Sequence, residues 1–241
     1  MKLCVFAFEG HFRILQLAVM HAQQNLDIDS VLVLWDDGES AVPTNLPWPV
    51  LAYSEFADVR QFPRGWIRQQ FAKLTLHRVL KEDCWINMDA DVVIRNPASF
   101  SSNQWYVDPR EGCQDYWAFM KYAFDIDVSE TRWMTAIWKC ERSVLESMDQ
   151  HLQTHHGCNI ETAFVRSEQP VLSEVETYAF YATQKMEQKF ERLPIGTRMV
   201  AGEELATVWD QSNEDLCLSN RDTGTPREFW SRWPEIKIDR K

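Results

Sequence analysis

Two carboxylates, Asp89 and Asp91, stand two residues apart inside the apolar run Trp85-Ile86-Asn87-Met88-Asp89-Ala90-Asp91-Val92-Val93-Ile94-Arg95-Asn96-Pro97. Alternate residues of a strand share a face, so the spacing points both acids to one side of one strand. Buried like charges repel and lose hydration, which is costly unless a cation, a base or a shared proton compensates. A hard divalent cation, Mn²⁺ or Mg²⁺, is the simplest compensation. Such ions take oxygen ligands, keep several waters and are commonly completed by substrate phosphates, which points to a nucleotide diphosphate. The competing reading is a strand end with two solvated acids.

Other residues could do chemistry at matching spacing. Gln70, Lys73 and His77 fall on the polar side of one helical segment just before the acid pair, where they could face a nucleotide or simply face water. Arg60, Arg64 and Arg68 add planar donors suited to pyrophosphate, against a default of surface placement. His151 and His155 lie one helical turn apart with His156 beside them. They read as helix-end complements ahead of Gly157, because zinc would need further ligands in fixed geometry. Ser173-x-x-Glu176 after Pro170 is a capping box, which gives Glu176 a structural task, whereas Glu174 in the same first turn is either free for chemistry or a complement of the helix dipole.

The elements that must position these groups follow an α/β order. Lys2 to Phe8 reads as a buried strand, Phe12 to Gln24 as a helix with Ile14, Leu15, Ala18, Val19 and Ala22 on one face, and Val31 to Trp35 as a second strand. A third short strand near Val50 to Tyr53 follows the Pro43, Pro47 and Pro49 cluster, and a helix from about Trp66 to Leu80 precedes the acid-pair strand. This order favours a mainly parallel sheet with helices on both faces, and ligands in such sheets sit beyond the carboxyl ends of the strands. Phe8-Glu9-Gly10, Asp36-Asp37 and Asp89-x-Asp91 all fall at such ends. In the second half Gln104 to Val107, Tyr116 to Phe124 and Trp133 to Cys140 read as strands, Glu141 to Thr154 and Ser173 to Phe190 as helices, and the chain from Leu193 onward as loop-rich.

Composition sets the limits. The 241 residues suit one large domain, and 45% hydrophobic residues suit a globular core. A formal charge of −11 argues against a nucleic-acid partner. No apolar stretch approaches the roughly 20 residues that span a bilayer, and Leu3 to Phe8 is too short for a signal-peptide core, so a cytoplasmic protein is expected. The six cysteines form no C-x-x-C pair, which predicts free thiols.

Three stretches resemble a family: Trp66-Ile67-Arg68-Gln69-Gln70-Phe71-Ala72-Lys73, Ile86-Asn87-Met88-Asp89-Ala90-Asp91-Val92-Val93-Ile94, and Leu172-Ser173-Glu174-Val175-Glu176-Thr177-Tyr178. The chain resembles small GT-A-type glycosyltransferases of phages and bacteria over roughly residues 1 to 190. The resemblance implies a single GT-A-like domain, with a Rossmann-like nucleotide-binding half (1–97), an acceptor half with a smaller mixed sheet (98–192) and a C-terminal segment (193–241). It also implies transfer of a hexosyl group from a UDP-sugar, UDP-glucose being the best guess, to an acceptor hydroxyl. Asp91 would be the firmer ligand of Mn²⁺ or Mg²⁺, with Asp89 on the ribose or on the metal through water. Phe8, Glu9, Asp36, Asp37, Arg64, Gln70 and Lys73 would line the donor site. Glu174, with Glu176 as alternative, would be the base if transfer inverts the anomeric centre.

The chain departs from the family pattern in lacking any His after His156; Asp210 is a substitute ligand or an ordinary solvated acid. Among the eleven tryptophans, Trp105, Trp117, Trp133 and Trp138, with Tyr106, concentrate in the acceptor half, where most would be core and one or two could line a cleft. The tail from Arg221 to Lys241, with six basic and four acidic residues, reads as packed or solvated. Two other functions compete. A nucleotidyltransferase would show a Gly-rich basic loop after the first strand, which Phe8-Glu9-Gly10-His11-Phe12 does not supply. A non-catalytic nucleotide- or carbohydrate-binding module would bind without turnover.

Overall fold

The computed structural model describes residues 1–38, 40–95, 98, 100, 104–107, 116–128, 133–194, 197–200 and 216–219. Its centre is a five-stranded sheet whose middle strand, β1 (Lys2–Ala7), pairs in parallel with β2 (Ser30–Trp35) on one side and β4 (Cys84–Asp89) on the other. Strand β3 (Val50–Ala52) extends the parallel set beyond β2, and β7 (Ile137–Glu141) closes the other edge antiparallel to β4. A strand covered on both faces should be apolar at every position, and Leu3 to Ala7 of β1 is.

Alternation sends these side chains into two cores. Leu3, Val5, Val33, Ile86 and Met88 pack with Ile14, Leu15, Ala18, Val19 and Ala22 of α1 (Phe12–Asn25). Cys4, Phe6, Leu34 and Trp85 pack on the opposite side, under α2 (Gly65–Thr75) and an aromatic layer. That layer comes from α3 (Trp117–Phe124), α4 (Arg142–His156), α5 (Ile160–Ser167) and α6 (Glu174–Gln184). Two small sheets flank the centre. One joins β5 (Val92–Ile94), β9 (Thr197–Val200) and β10 (Leu216–Ser219), with β10 antiparallel to β5 and parallel to β9. The other pairs β6 (Gln104–Val107) with β8 (Glu191–Pro194) in parallel.

Several expectations need correction. The acid-pair run is two strands. Residues up to Asp89 find partners in β1 and β7, but those partners run out there. Ala90 N donates to Phe6 O (3.0 Å), and the chain turns at Ala90–Asp91 so that Val92–Ile94 joins another sheet. Residues 117–124 form a helix because Phe119, Met120, Ala123 and Phe124 share one buried face; aromatic β-propensity gave way to helical packing. The strand expected over Trp133 to Cys140 begins at Ile137.

Helix α5 was not foreseen, although Asn159 caps it by accepting from Thr162 N (2.9 Å) and Glu168 ends it at φ 55°. The helix expected to reach Leu80 passes at Thr75 into a 3-10 turn, Leu76–Arg78, and the one expected to reach Phe190 stops at Gln184. Where a loop-rich segment is expected from Leu193 onward, the described residues lie in strands. Cys4, Cys84, Cys140 and Cys158 are free thiols, as expected. Among the described residues, no helix is long and apolar enough to cross a membrane.

Candidate active site

Parallel strands present all their carboxyl ends on one edge, and the predicted site residues gather there. Beyond β1 lie half-buried Phe8, whose ring is 3.9 Å from that of His11, and exposed Glu9. Beyond β2 lie Asp36 and Asp37, beyond β3 lies Ser54, and β4 ends on Asp89 with Asp91 in the following turn.

Helix α2 crosses this edge and carries the groups that fix it. Its apolar stripe, Ile67, Phe71 and Leu74, is buried, but so are Arg68, Gln70 and Lys73 at 5%, 3% and 2% exposure, and His77 in the turn that follows. The solvated-face reading of Gln70, Lys73 and His77 is therefore overturned. Burying polar groups at such a level demands partners, and each has one.

Lys73 Nζ lies 2.6 Å from Asp89 Oδ1 and 2.5 Å from Glu174 Oε1. Burial alone would push its pKa down, yet the two carboxylates more than offset that and hold the ammonium above its ordinary value. Gln69 Nε2 donates to the same Asp89 oxygen (3.1 Å), and Gln70 Oε1 accepts from Glu174 N (3.1 Å). Residues 69 and 73 are one turn apart, so both reach the strand end, while 70 and 73 together reach the first turn of α6. Glu174, left without a structural task by sequence reasoning, is thus the counter-charge of Lys73. Glu176 is fully buried; its amide donates to Ser173 Oγ (3.3 Å), as a cap requires, and its Oε2 accepts from Trp117 Nε1 (3.3 Å).

The acids after β2 hold their own loop. Arg68 Nε donates to both Asp36 oxygens (2.8 and 3.0 Å) and Arg68 Nη1 to Phe62 O (2.9 Å), so its task is internal and not the pyrophosphate contact considered from sequence. Gly38 permits this approach, since a Cβ there would stand 2.8 Å from Arg68 Nε. Asp37 accepts from Ser54 N (3.1 Å) and Ser54 Oγ (2.5 Å), tying the β2 loop to the β3 end. A recess of about 440 Å³ opens beside it, lined by Ser54, Glu55, Phe56, Ala57, Asp58 and Arg60. Arg60 and Arg64 are exposed, Arg64 at the N-cap of α2.

Asp91 is the carboxylate these partners leave under-compensated. Burial, then the charge of Asp89, push its pKa up to about 7, and its own backbone N–H and Lys73 offset this only in part. A hard cation suits a pair of acids of which one is neutralised by an ammonium and the other is not. Among the described residues, no group of three His, Cys, Asp or Glu side chains gathers as a metal site, and Asp210 lies outside them. Among the described residues, Asp89 and Asp91 could hold a divalent ion. The three histidines do not form a metal site. His151 and His155 rings are 4.4 Å apart, burial and then His155 lower the His151 pKa, and His156 Nε2 bonds Ala123 O (3.1 Å).

Gln69 as a partner of Asp89 and Arg68 as a loop clamp are not anticipated from the sequence. The i, i+4 spacing of Gln69 and Lys73 ahead of an acid-bearing strand was the available signal. Trp105, Trp133 and Trp138 are core residues, at 2%, 6% and 2% exposure, so none of them lines a cleft.

Residues 7–215 match the model of DUF6492, described as a family of unknown function. The chain belongs to that family. No curated protein matches it. Two solved structures are similar at 11% identity, each covering 98% of this chain and 95% of its own. One is the galactosyltransferase LgtC in complex with donor and acceptor sugar analogs, at a TM-score of 0.48; the other is an active-site mutant of LgtC, at 0.51. The second likeness shows that this DUF6492 chain has a GT-A-like α/β fold, with a mostly parallel central sheet flanked by helices.

Proposed function

We propose that this protein is a metal-dependent glycosyltransferase that moves a hexosyl group from a UDP-sugar to an acceptor hydroxyl. The observation that carries the reading is the pair Asp89 and Asp91 at the carboxyl end of β4, with Asp89 fixed by Lys73 and Gln69 and Asp91 under-compensated. Its occurrence on a GT-A-like fold supports the same reading. Mn²⁺ or Mg²⁺ held by Asp91 and Asp89 would stabilise negative charge on the departing diphosphate as a Lewis acid.

The chain's own residues do the rest. Phe8, Glu9 and the loop braced by Asp36 and Asp37 form the nucleoside side of the site, and exposed Arg64 faces the phosphates. Lys73 and Gln70 act through Asp89 and Glu174, as positioning residues. In transfer, the acceptor oxygen bonds the anomeric carbon while the C–O bond to the diphosphate breaks, its electron pair leaving on phosphate oxygen. If transfer inverts the anomeric centre, the acceptor's proton goes to the Glu174 carboxylate, one oxygen of which Lys73 holds.

Paired substitutions test these roles with a UDP-sugar and Mn²⁺. Glu174→Gln removes the proton acceptor and should lower transfer by about a hundredfold, with UDP affinity near normal. Glu176→Gln keeps an acceptor for the Trp117 indole and should leave turnover within about twofold. The reverse pattern would move the base role to Glu176, and no loss in either would remove a carboxylate base from this segment.

A further inference from the structure

Trp66 is 42% exposed, the only tryptophan among the exposed large apolar side chains of the described residues, although tryptophans are usually well buried. It stands in the first turn of α2, with Gln69, Gln70 and Lys73 following on the same helical face at i+3, i+4 and i+7. The exposed ring thus continues the row of side chains that ends on Asp89 and Glu174. It does not stand alone. Its ring lies 6.0 Å from that of half-buried Tyr116, tilted by 35°.

Tyr116 immediately precedes α3, and the next residue, Trp117, donates its indole N–H to Glu176 in the first turn of α6. The aromatic pair therefore sits where α2, the start of α3 and the start of α6 converge. Neither ring is needed to fill the core, since both reach solvent. Exposed Arg64, the N-cap residue of α2, stands two positions before Trp66 and brings hydrogen-bond donors to the rim.

An exposed aromatic face with polar donors at its edge matches one face of a hexopyranose, whose axial C–H groups are apolar and whose equatorial hydroxyls point outward. We infer that Trp66 and Tyr116 form a stacking platform for the acceptor, and that the acceptor is therefore a carbohydrate ring. This deepens the transferase reading above and rests on it. A partner protein fits the observations less well, because two rings amid polar and charged side chains fall far short of the area a stable interface buries.

Saturation-transfer NMR of the full chain against glucose, galactose, N-acetylglucosamine, lactose, maltose and cellobiose tests the platform. The parent protein should bind at least one of these saccharides. Trp66→Ala and Tyr116→Ala should each weaken that binding at least fivefold, while Trp66→Phe retains most of it. Thermal melting of each variant establishes that it is folded. Parent protein that binds none of the six, or Trp66→Ala that is folded and binds as the parent does, overturns the platform. Calorimetry of UDP with Mn²⁺ on the parent separates the two claims. Absence of UDP binding alongside saccharide binding that depends on Trp66 would sink the transferase reading and leave the platform standing.

Discussion

At the scale of single residues, the site is a problem of charge balance around Lys73. One ammonium faces Asp89 and Glu174, and Asp91 beyond them carries a pKa raised from 3.8 to about 7. A carboxyl whose folded pKa is raised contributes stability that is complete below its unfolded value and is lost as pH climbs through the folded one. Asp91→Asn should therefore melt like the parent near pH 4. Its advantage should grow between pH 4 and 7, to about 1–3 kcal/mol in metal-free protein at pH 8 once partial exposure is allowed for. Added Mn²⁺ should raise the parent's melting temperature at pH 8 and leave the variant's unchanged. Melting curves that track each other at every pH would mean that Asp91 carries no such burden. The acid pair was legible because its spacing and apolar flanks survive in the sequence. The tasks of Glu174 and Asp36 were not legible, since their partners Lys73 and Arg68 lie 101 and 32 positions away, and only tertiary packing brings them together.

At the scale of elements, α2 is the part that organises the site. Arg68 holds the β2 loop, Gln69 and Lys73 hold the end of β4, and Gln70 and Lys73 hold the start of α6. The apolar stripe that seats the helix was readable from its period. The burial of its polar side was not, because a helix wedged between a sheet edge and another helix shows the same pattern as one facing water. Lys73→Met keeps the side-chain length and removes the charge, leaving Asp89 and Glu174 facing each other without a cation. Loss of one partner from a buried ion pair costs roughly 3–5 kcal/mol, which for a chain of this size lowers the melting temperature by about 10 °C at pH 7. A variant as stable as the parent at pH 7 would show that Lys73 does not hold these elements together.

At the scale of the whole molecule, strand order was legible through the first half of the chain. There each buried strand is a continuous apolar run, and α1 and α2 are periodic helices between strands. The second half was harder, because aromatic residues suit strands and packed helices equally. Tyr116 to Phe124 therefore reads as strand, whereas in the structure Phe119 packs as part of a helix face against Phe124 and Phe164. The fold brings the acids at the end of β4, the loops after β1 and β2, and the start of α6 to one edge, where the proposed sugar nucleotide and acceptor would meet. The most direct test is release of the nucleoside diphosphate from a panel of nucleotide sugars with Mn²⁺, by the parent protein and by Asp91→Ala. UDP-sugars, led by UDP-glucose, should turn over well above GDP- and ADP-sugars, and turnover should vanish with Asp91→Ala or with a chelator. No turnover of any nucleotide sugar by the parent, or full activity after loss of Asp91, would contradict the account.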